Sequence, residues 1–436
     1  MKTFKSAAAT IGMALAVAAC SDDAPTHPSL TGLSVPVSSA AELQAALSVA
    51  DGTRNIVLGA GEYELASTLV VPDGTTLTGA GTMAIDHSSH LPTGFEAGTG
   101  TVLKAASTLV GDVVVLGDGS ALKRLTVQDA LGRTGGSAVV VHSRHAGDHV
   151  RATLEDCEIV NPNPPSSSLQ SVGGRALVLL TRNRETITST YAPEVGASVI
   201  VDMTHCIIRS PLIAGVFVNN FSPEASTKLV VTENVLGGGV QVSGGTSRPD
   251  AVTGSSATLE SRGNLYRPDP GASLRNGLQV YGGAGLPTPG IVASAVTSNT
   301  AILRSVDDRI EGFVNAIVAR GGSRPLASTS EISSNSATVA LHGATLSSIG
   351  GDLNLAGASS LVVGSWSDAG NLLRVSAERV TGSGQRNNFY GDVAGPPSTT
   401  FGAGNRLEIV GTLQAFFSSN SGILPLPPEG FFVGAH

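Results

Sequence analysis

Charge is scarce in this sequence: Asp, Glu, Lys and Arg make up 14% of its 436 residues, against about 25% in an average soluble domain. Lysines are few, the net charge is −8, and no basic run occurs. There is therefore no electrostatic footprint for nucleic acid, and that class of partner is excluded. Aromatic residues are also rare, at 4%, which suits a helical bundle poorly. After the first twenty residues no apolar stretch approaches the roughly 18 needed to span a bilayer, so the body is expected to be soluble. Of the three cysteines, one falls at Cys20, and the remaining two are too few for a metal site.

What the chain has in abundance is glycine, 54 residues, set between short runs of Val, Ile, Leu and Ala. Those runs repeat. Ala152–Val160 (ATLEDCEIV) is echoed by Val199–Ile208 (VIVDMTHCII) and by Leu229–Leu236 (LVVTENVL). Each reads as a strand of alternating apolar residues, a small or amide residue (Cys157, Cys206, Asn234), and then another apolar residue (Ile159, Ile208, Leu236). Each is answered after a turn by a second strand, at 175–180, 214–218 and 239–242, so the repeat reads as a pair of strands. Anchor spacing runs from about 28 to about 49 residues, near the solenoid range. A unit this short cannot bury its apolar face alone and must stack on copies of itself, so the expected architecture is one elongated all-β solenoid of parallel strands. Less regular strand runs over 322–436 are expected to continue the stack. The tail at 425–436, whose prolines cannot pair, is expected to close the last coil or lie loose.

The first nineteen residues carry Lys2, Lys5 and an Ala-rich apolar run, the shape of an export signal. The run ends Leu15-Ala-Val-Ala-Ala-Cys20, which resembles the lipobox of bacterial lipoproteins. That resemblance implies lipidation of Cys20, anchorage to the bacterial envelope, and an outer-membrane address from Ser21. Residues 20–36, rich in Ser, Asp, Pro and Thr, read as a flexible tether. Ser39 followed by Glu42 and helically spaced apolar residues predicts a short helix within 37–50 that caps the first exposed strand edge.

A strand into Gly61-Glu-Tyr63 follows, then Val71-Pro-Asp-Gly-Thr-Thr-Leu77 and Gly79-Ala-Gly81. With the capping helix and the later repeats, these resemble the opening coils of the pectin-lyase-like superfamily, a right-handed parallel β-helix fold. The resemblance covers most of the chain after the tether. It implies the fold, but the superfamily holds polysaccharide lyases, hydrolases, adhesins and catalytically silent surface proteins. Its catalytic signatures are incomplete here. Of the polygalacturonase pattern, Asp307-Asp308 and His342-Gly343 are present, but Asn299-Thr300 is followed by Ala301 and no Arg-Ile-Lys occurs. Of the pectate-lyase pattern, Ala84-Ile-Asp86-His87 lacks the Trp, and no acidic cluster recurs on consecutive coils to hold Ca²⁺. Ca²⁺ is expected only if the protein is a lyase; no other cofactor is implied.

Cys157 and Cys206 occupy one repeat position in neighbouring coils. About one strand spacing, roughly 4.8 Å, would separate them, close enough for a disulfide. They read equally as two small residues of an inward stack, which is preferred because Asn234 and Asn264 fill the same position later.

The long loops mostly leave directly after the second strand of the unit, so stacking lines them along one edge and they wall a lateral groove. The richest loop, His142–Arg151, offers His142, Arg144, His145 and Asp148. Arg182, Arg184, Glu185 and Tyr191 come from the next coil, Asn219 and Asn220 from the one after, and Tyr281 further on. Arg can grip carboxylated sugars bidentately, and His or Arg can serve as a base. The expected function is a lipid-anchored surface protein, a monomer, that binds carbohydrate or a matrix polymer along this groove. The alternative is a lyase or hydrolase of acidic glycans with its base among His142, Arg144, His145, Arg182 and Arg184. A third reading is an adhesin or scaffold.

Overall fold

The structure, a computed structural model, describes residues 34–49, 54–133, 136–163, 174–182, 194–211, 215–247, 251–270, 272, 276–285, 295–324, 331–360, 365, 367–382, 388–389, 393–394, 400, 402–411 and 432–434. Successive turns of the chain visit three sheets in a fixed order; among the described residues these have 13, 10 and 11 strands. One turn consists of Ser120–Lys123 in the first sheet, Thr126–Gln128 in the second and Val139–His142 in the third. The next is His149–Glu155, Glu158–Val160 and Leu177–Leu180. Each strand pairs in parallel with its counterpart one turn on: Leu122 faces Leu154, Val127 faces Ile159 and Val140 faces Val178. The result is a right-handed parallel β-helix, the hand that strand twist imposes on parallel crossovers.

The unit is three strands rather than two. Ala152–Val160 reads as one strand, yet Asp156 adopts φ 51°, in the left-handed region, and bends the chain from the first sheet into the second. His205, Glu233 and Asp307 do the same, at φ 50°, 54° and 55°. A bend this short leaves the inward alternation nearly intact on either side, so periodicity alone does not reveal it.

Inward positions stack into a continuous core, with Leu154, Met203, Leu229, Leu259, Leu303 and Val339 all buried. Each fully buried aliphatic side chain contributes about 1.5–3 kcal/mol. The helix α1, Ala40–Ser48, places Leu43 and Leu47 against this core. Ser39 Oγ accepts from the Glu42 amide at 3.2 Å. The returning carboxylate accepts from the Ser38 N–H and hydroxyl, both at 2.8 Å, one residue earlier than the standard capping box.

Two internal columns of polar side chains run through the bends. At the bend from first to second sheet, Asn234 Nδ2 donates to Asn264 Oδ1 at 2.9 Å, and Asn264 Nδ2 to Asp308 Oδ1 at 3.0 Å. Cys157 and Cys206 are earlier rungs, buried free thiols; the Cys157 amide donates to Cys206 Sγ at 3.4 Å, and the Cys206 amide to Asn234 Oδ1 at 2.7 Å. At the entry to the first sheet, Asn299, Asn335, Asn371 and Asn405 form the second column, each amide bonded to the next at 2.9–3.1 Å. The third-sheet strands pass this column at double glycines. A Cβ at Gly283 would lie 2.5 Å from Asn335 Cγ, and one at Gly282 2.4 Å from the Gly321 carbonyl oxygen.

A hairpin, Met83–Ile85 with Pro92–Phe95, is the antiparallel exception among the described strands. Its Met83 and Leu91 pack on Ile207, Val235 and Leu265, three outward side chains of the second sheet. The stack continues toward the C-terminus as expected, with Ser336–His342, Leu372–Glu378 and Arg406–Gly411 extending the first sheet. In the tail, Phe432–Gly434 pairs in parallel with Glu408–Val410. Among the described residues no helix is long and apolar enough to cross a membrane. Cys20, the export signal and the tether up to residue 33 lie outside the described residues; the last three residues expected in the tether, 34–36, are not a flexible linker but part of the strand Ser34–Val37, which pairs in parallel with Arg54–Leu58.

Candidate functional site

Of the loops expected to share an edge, those after Val139–His142 and Val216–Asn219 leave where third-sheet strands turn toward the first, whereas Val240–Ser247, Asn276–Gly285 and Asn315–Arg324 run on as strands through the positions where loops were expected to begin. The outer face of the third sheet is the floor beside that edge. Because strands alternate, Val139 and Val141 enter the core while Val140 and His142 face outward. Register then aligns outward residues from distant coils. His142 lies opposite Leu180, Leu180 opposite Asn219, Asn219 opposite Ser243, Ser243 opposite Tyr281 and Tyr281 opposite Arg320. In the parallel row, Val140, Val178 and Phe217 give way to Gln241 and Gln279, then Val318 and Asn354.

The floor has two halves. The half nearer the N-terminus is a buried apolar cluster of Val115, Val140, Val178, Leu180, Phe217 and Phe221. The Arg175 guanidinium sits 5.0 Å from the centre of the Phe217 ring, and burial lowers its pKa to about 10. The other half is polar and largely uncharged. Tyr281 donates its hydroxyl to Gln279 Oε1 at 3.0 Å, and burial raises the pKa of that hydroxyl. Asn219 Oδ1 accepts from Thr246 at 3.2 Å. Arg320 Nη1 donates to the carbonyl oxygens of Ala319 (2.8 Å) and Asn354 (2.5 Å), and Nη2 to Asn354 Oδ1. Two amide nitrogens in this half, Asn219 Nδ2 and Gln279 Nε2, are buried without a partner.

The structure gathers some of the expected site residues and disperses others. His142, Asn219 and Tyr281 share one row, with Leu180 between the first two. Asn220 turns away and clamps two turns together, Nδ2 donating to Gly244 O at 2.8 Å and Ser256 O at 2.5 Å. Asp148 closes its own loop by accepting from the amides of Arg144 and His145, at 2.8 and 2.7 Å. The His145 ring is exposed beside it, at 3.5 Å. Arg144 instead lines a separate open groove of about 670 Å³ under the end of α1, with Arg54, Asp73 and Asp118. Arg182 is 1% exposed. Arg184, Glu185 and Tyr191 lie outside the described residues. No group of three His, Cys, Asp or Glu side chains among the described residues is placed to hold a metal ion.

The fragments of catalytic signatures have structural roles. Asp308 and Asn299 are rungs of different columns, at opposite ends of the strand Thr300–Val306. At about 3.3 Å per residue that separates them by roughly 30 Å. Asp307 and Gly343 are left-handed bend residues, and His342 pairs with Glu378 at 3.2 Å. Asp86 ends the first hairpin strand's turn by accepting from the amides and hydroxyls of Ser88 and Ser89, which lowers its pKa.

Sequence reasoning passed over Gln241, Gln279, Arg320 and Asn354. The signal was available in Gly239-Val-Gln-Val242 and Gly277-Leu-Gln-Val280, where a glutamine recurs at the same outward position of consecutive repeats. No protein-family model matches the chain, and no curated protein is similar to it.

Proposed function

We propose that this protein is a lipid-anchored surface β-helix of the pectin-lyase-like type that binds a carbohydrate or matrix polymer lengthwise along the outer face of its third sheet. The observation that carries the reading is that strand register brings the half-buried polar side chains of Gln241, Tyr281 and Asn354 to the outer face of the third sheet, and a polymer of hydroxyl-bearing units can exchange hydrogen bonds with such groups. Its repeat suits the floor, because neighbouring coils present side chains about 4.8 Å apart, close to the length of one pyranose unit.

Binding is better supported than cleavage. A base must reach the polymer, whereas Arg182 is 1% exposed and the His142 Nδ1 lies 2.9 Å from the Ser143 carbonyl oxygen. The test is retention of the full-length protein on a panel of immobilised glycans, with ultraviolet absorbance followed for unsaturated ends. Retention without new absorbance is expected; no retention on any glycan overturns the reading. Anchoring is tested separately with Cys20→Ser, which should abolish incorporation of labelled fatty acid and release the protein from membranes.

A further inference from the structure

We infer that the open groove under the end of α1 is a second binding site, one that takes a short peptide with free ends and aliphatic side chains. It is separate from the third-sheet face and stands whether or not a glycan binds there. Its volume of about 670 Å³ falls in the range of small-ligand pockets, roughly 300–1,000 Å³. Like those pockets it combines an aliphatic lining with a few charged side chains, here of both signs.

Two carboxylates stack in this groove, at the corner where the third sheet passes to the first. The Asp118 N–H donates to Asp73 Oδ1 and the Arg151 N–H to Asp118 Oδ1, both at 2.8 Å, so the pair sits on consecutive turns, about 4.8 Å apart. The second oxygen of each has no hydrogen-bond partner among the described residues. Like charges at that separation repel, and a cation between them relieves the repulsion. The arginines that line the groove do not supply it. Arg54 Nη1 donates to the Ala46 carbonyl oxygen at 3.2 Å, holding the end of α1, and among the described residues Arg144 forms no ion pair with either carboxylate. A ligand ammonium carries three donors and can meet both second oxygens, while the ligand carboxylate can take the Arg144 fork bidentately. Val49 and Val70 line the same groove, 63% and 46% exposed, and Val70 begins the outward row that continues to Val115 and Val140. Aliphatic side chains of a peptide would remove that surface from water.

The experiment is titration calorimetry of the full-length protein with dileucine, with N-acetyl-dileucine, which lacks the ammonium, and with dileucine amide, which lacks the carboxylate. Two variants are measured alongside. Asp118→Asn keeps the acceptor for the Arg151 N–H and removes the charge; Arg144→Gln removes the guanidinium at an exposed position. The expected result is that dileucine binds, that acetylation and Asp118→Asn each weaken it about two- to fivefold, and that amidation and Arg144→Gln weaken it to a similar degree. Thermal midpoints report whether each variant is folded, and the blocked peptides carry the test on the wild-type protein by themselves. Absence of dileucine binding, equal binding of free and blocked peptides, or binding that either folded variant leaves unchanged overturns the inference.

Discussion

Asn299 donates its side-chain amide to Asn335 Oδ1 at 3.0 Å across 36 residues of sequence, and the Asn299 backbone N–H donates to the same oxygen at 3.0 Å. One side-chain oxygen thus fixes both the bend and the rotamer of the turn before it. Asn371 and Asn405 repeat the arrangement.

Asn335→Ala removes the acceptor for two buried donors. The expected loss is about 3 kcal/mol, two unsatisfied groups being involved, measured as a lower midpoint in urea. Gly283→Ala should destabilise by a different route, since its Cβ would meet Asn335 Cγ at 2.5 Å. A midpoint unchanged in both variants would show that the column does not hold the turns.

Asp308 ends the other column. Its carboxyl is buried, which raises its pKa although Ser261, Ser305 and Asn264 act against the rise. The folded state therefore holds the proton more tightly than the unfolded chain, whose carboxyl titrates near about 3.9. Stability falls as pH rises from that value through the raised folded one. Asp308→Asn keeps the acceptor for Asn264 and removes the charge. It should stabilise the protein at neutral pH by about 1–3 kcal/mol and flatten this part of the pH dependence. A variant less stable than wild type at pH 7 would refute the account.

Cys206→Asn should be tolerated. An amide there can accept from the Cys157 N–H and donate to Asn234 Oδ1, as Asn234 does to Asn264. Thermal midpoints of the variant and wild type are expected to agree within a few degrees. The wild-type thiols, both fully buried, should resist alkylation until the protein unfolds.

Met83→Asp should lift the hairpin from the second sheet, because an unpaired carboxylate would be forced against Ile207, Val235 and Leu265. Limited proteolysis should then cut within 83–95, and binding of a hydrophobic dye should rise while the strand content measured by circular dichroism stays unchanged. Continued protease resistance would show that the hairpin is held by something other than this contact.

Strand stacking was legible in the sequence because each coil repeats its apolar alternation, and Leu154, Met203 and Val231 must be covered by copies of the same unit. So was the helical cap, a local matter of Ser39, Glu42 and two leucines. The edge where the loops after His142 and Asn219 leave the third sheet followed from their place in the repeat. The site was only half legible: His142, Asn219 and Tyr281 fall into one row, but nothing local distinguishes them from Arg182 or Asn220, which the fold buries or spends on backbone carbonyls.

The sequence by itself determined the parallel stack and the inward column of small and amide residues, because periodicity and side-chain size act within a single repeat. The tertiary structure alone decided that Asp308 and Asn299 are rungs and not catalytic groups, that the 83–95 hairpin covers the second sheet, and that Gln279 and Asn219 keep unpartnered amides. Those outcomes depend on register between strands 36 to 44 residues apart and on which donors find acceptors after stacking. Neither quantity exists until the coils are laid on one another.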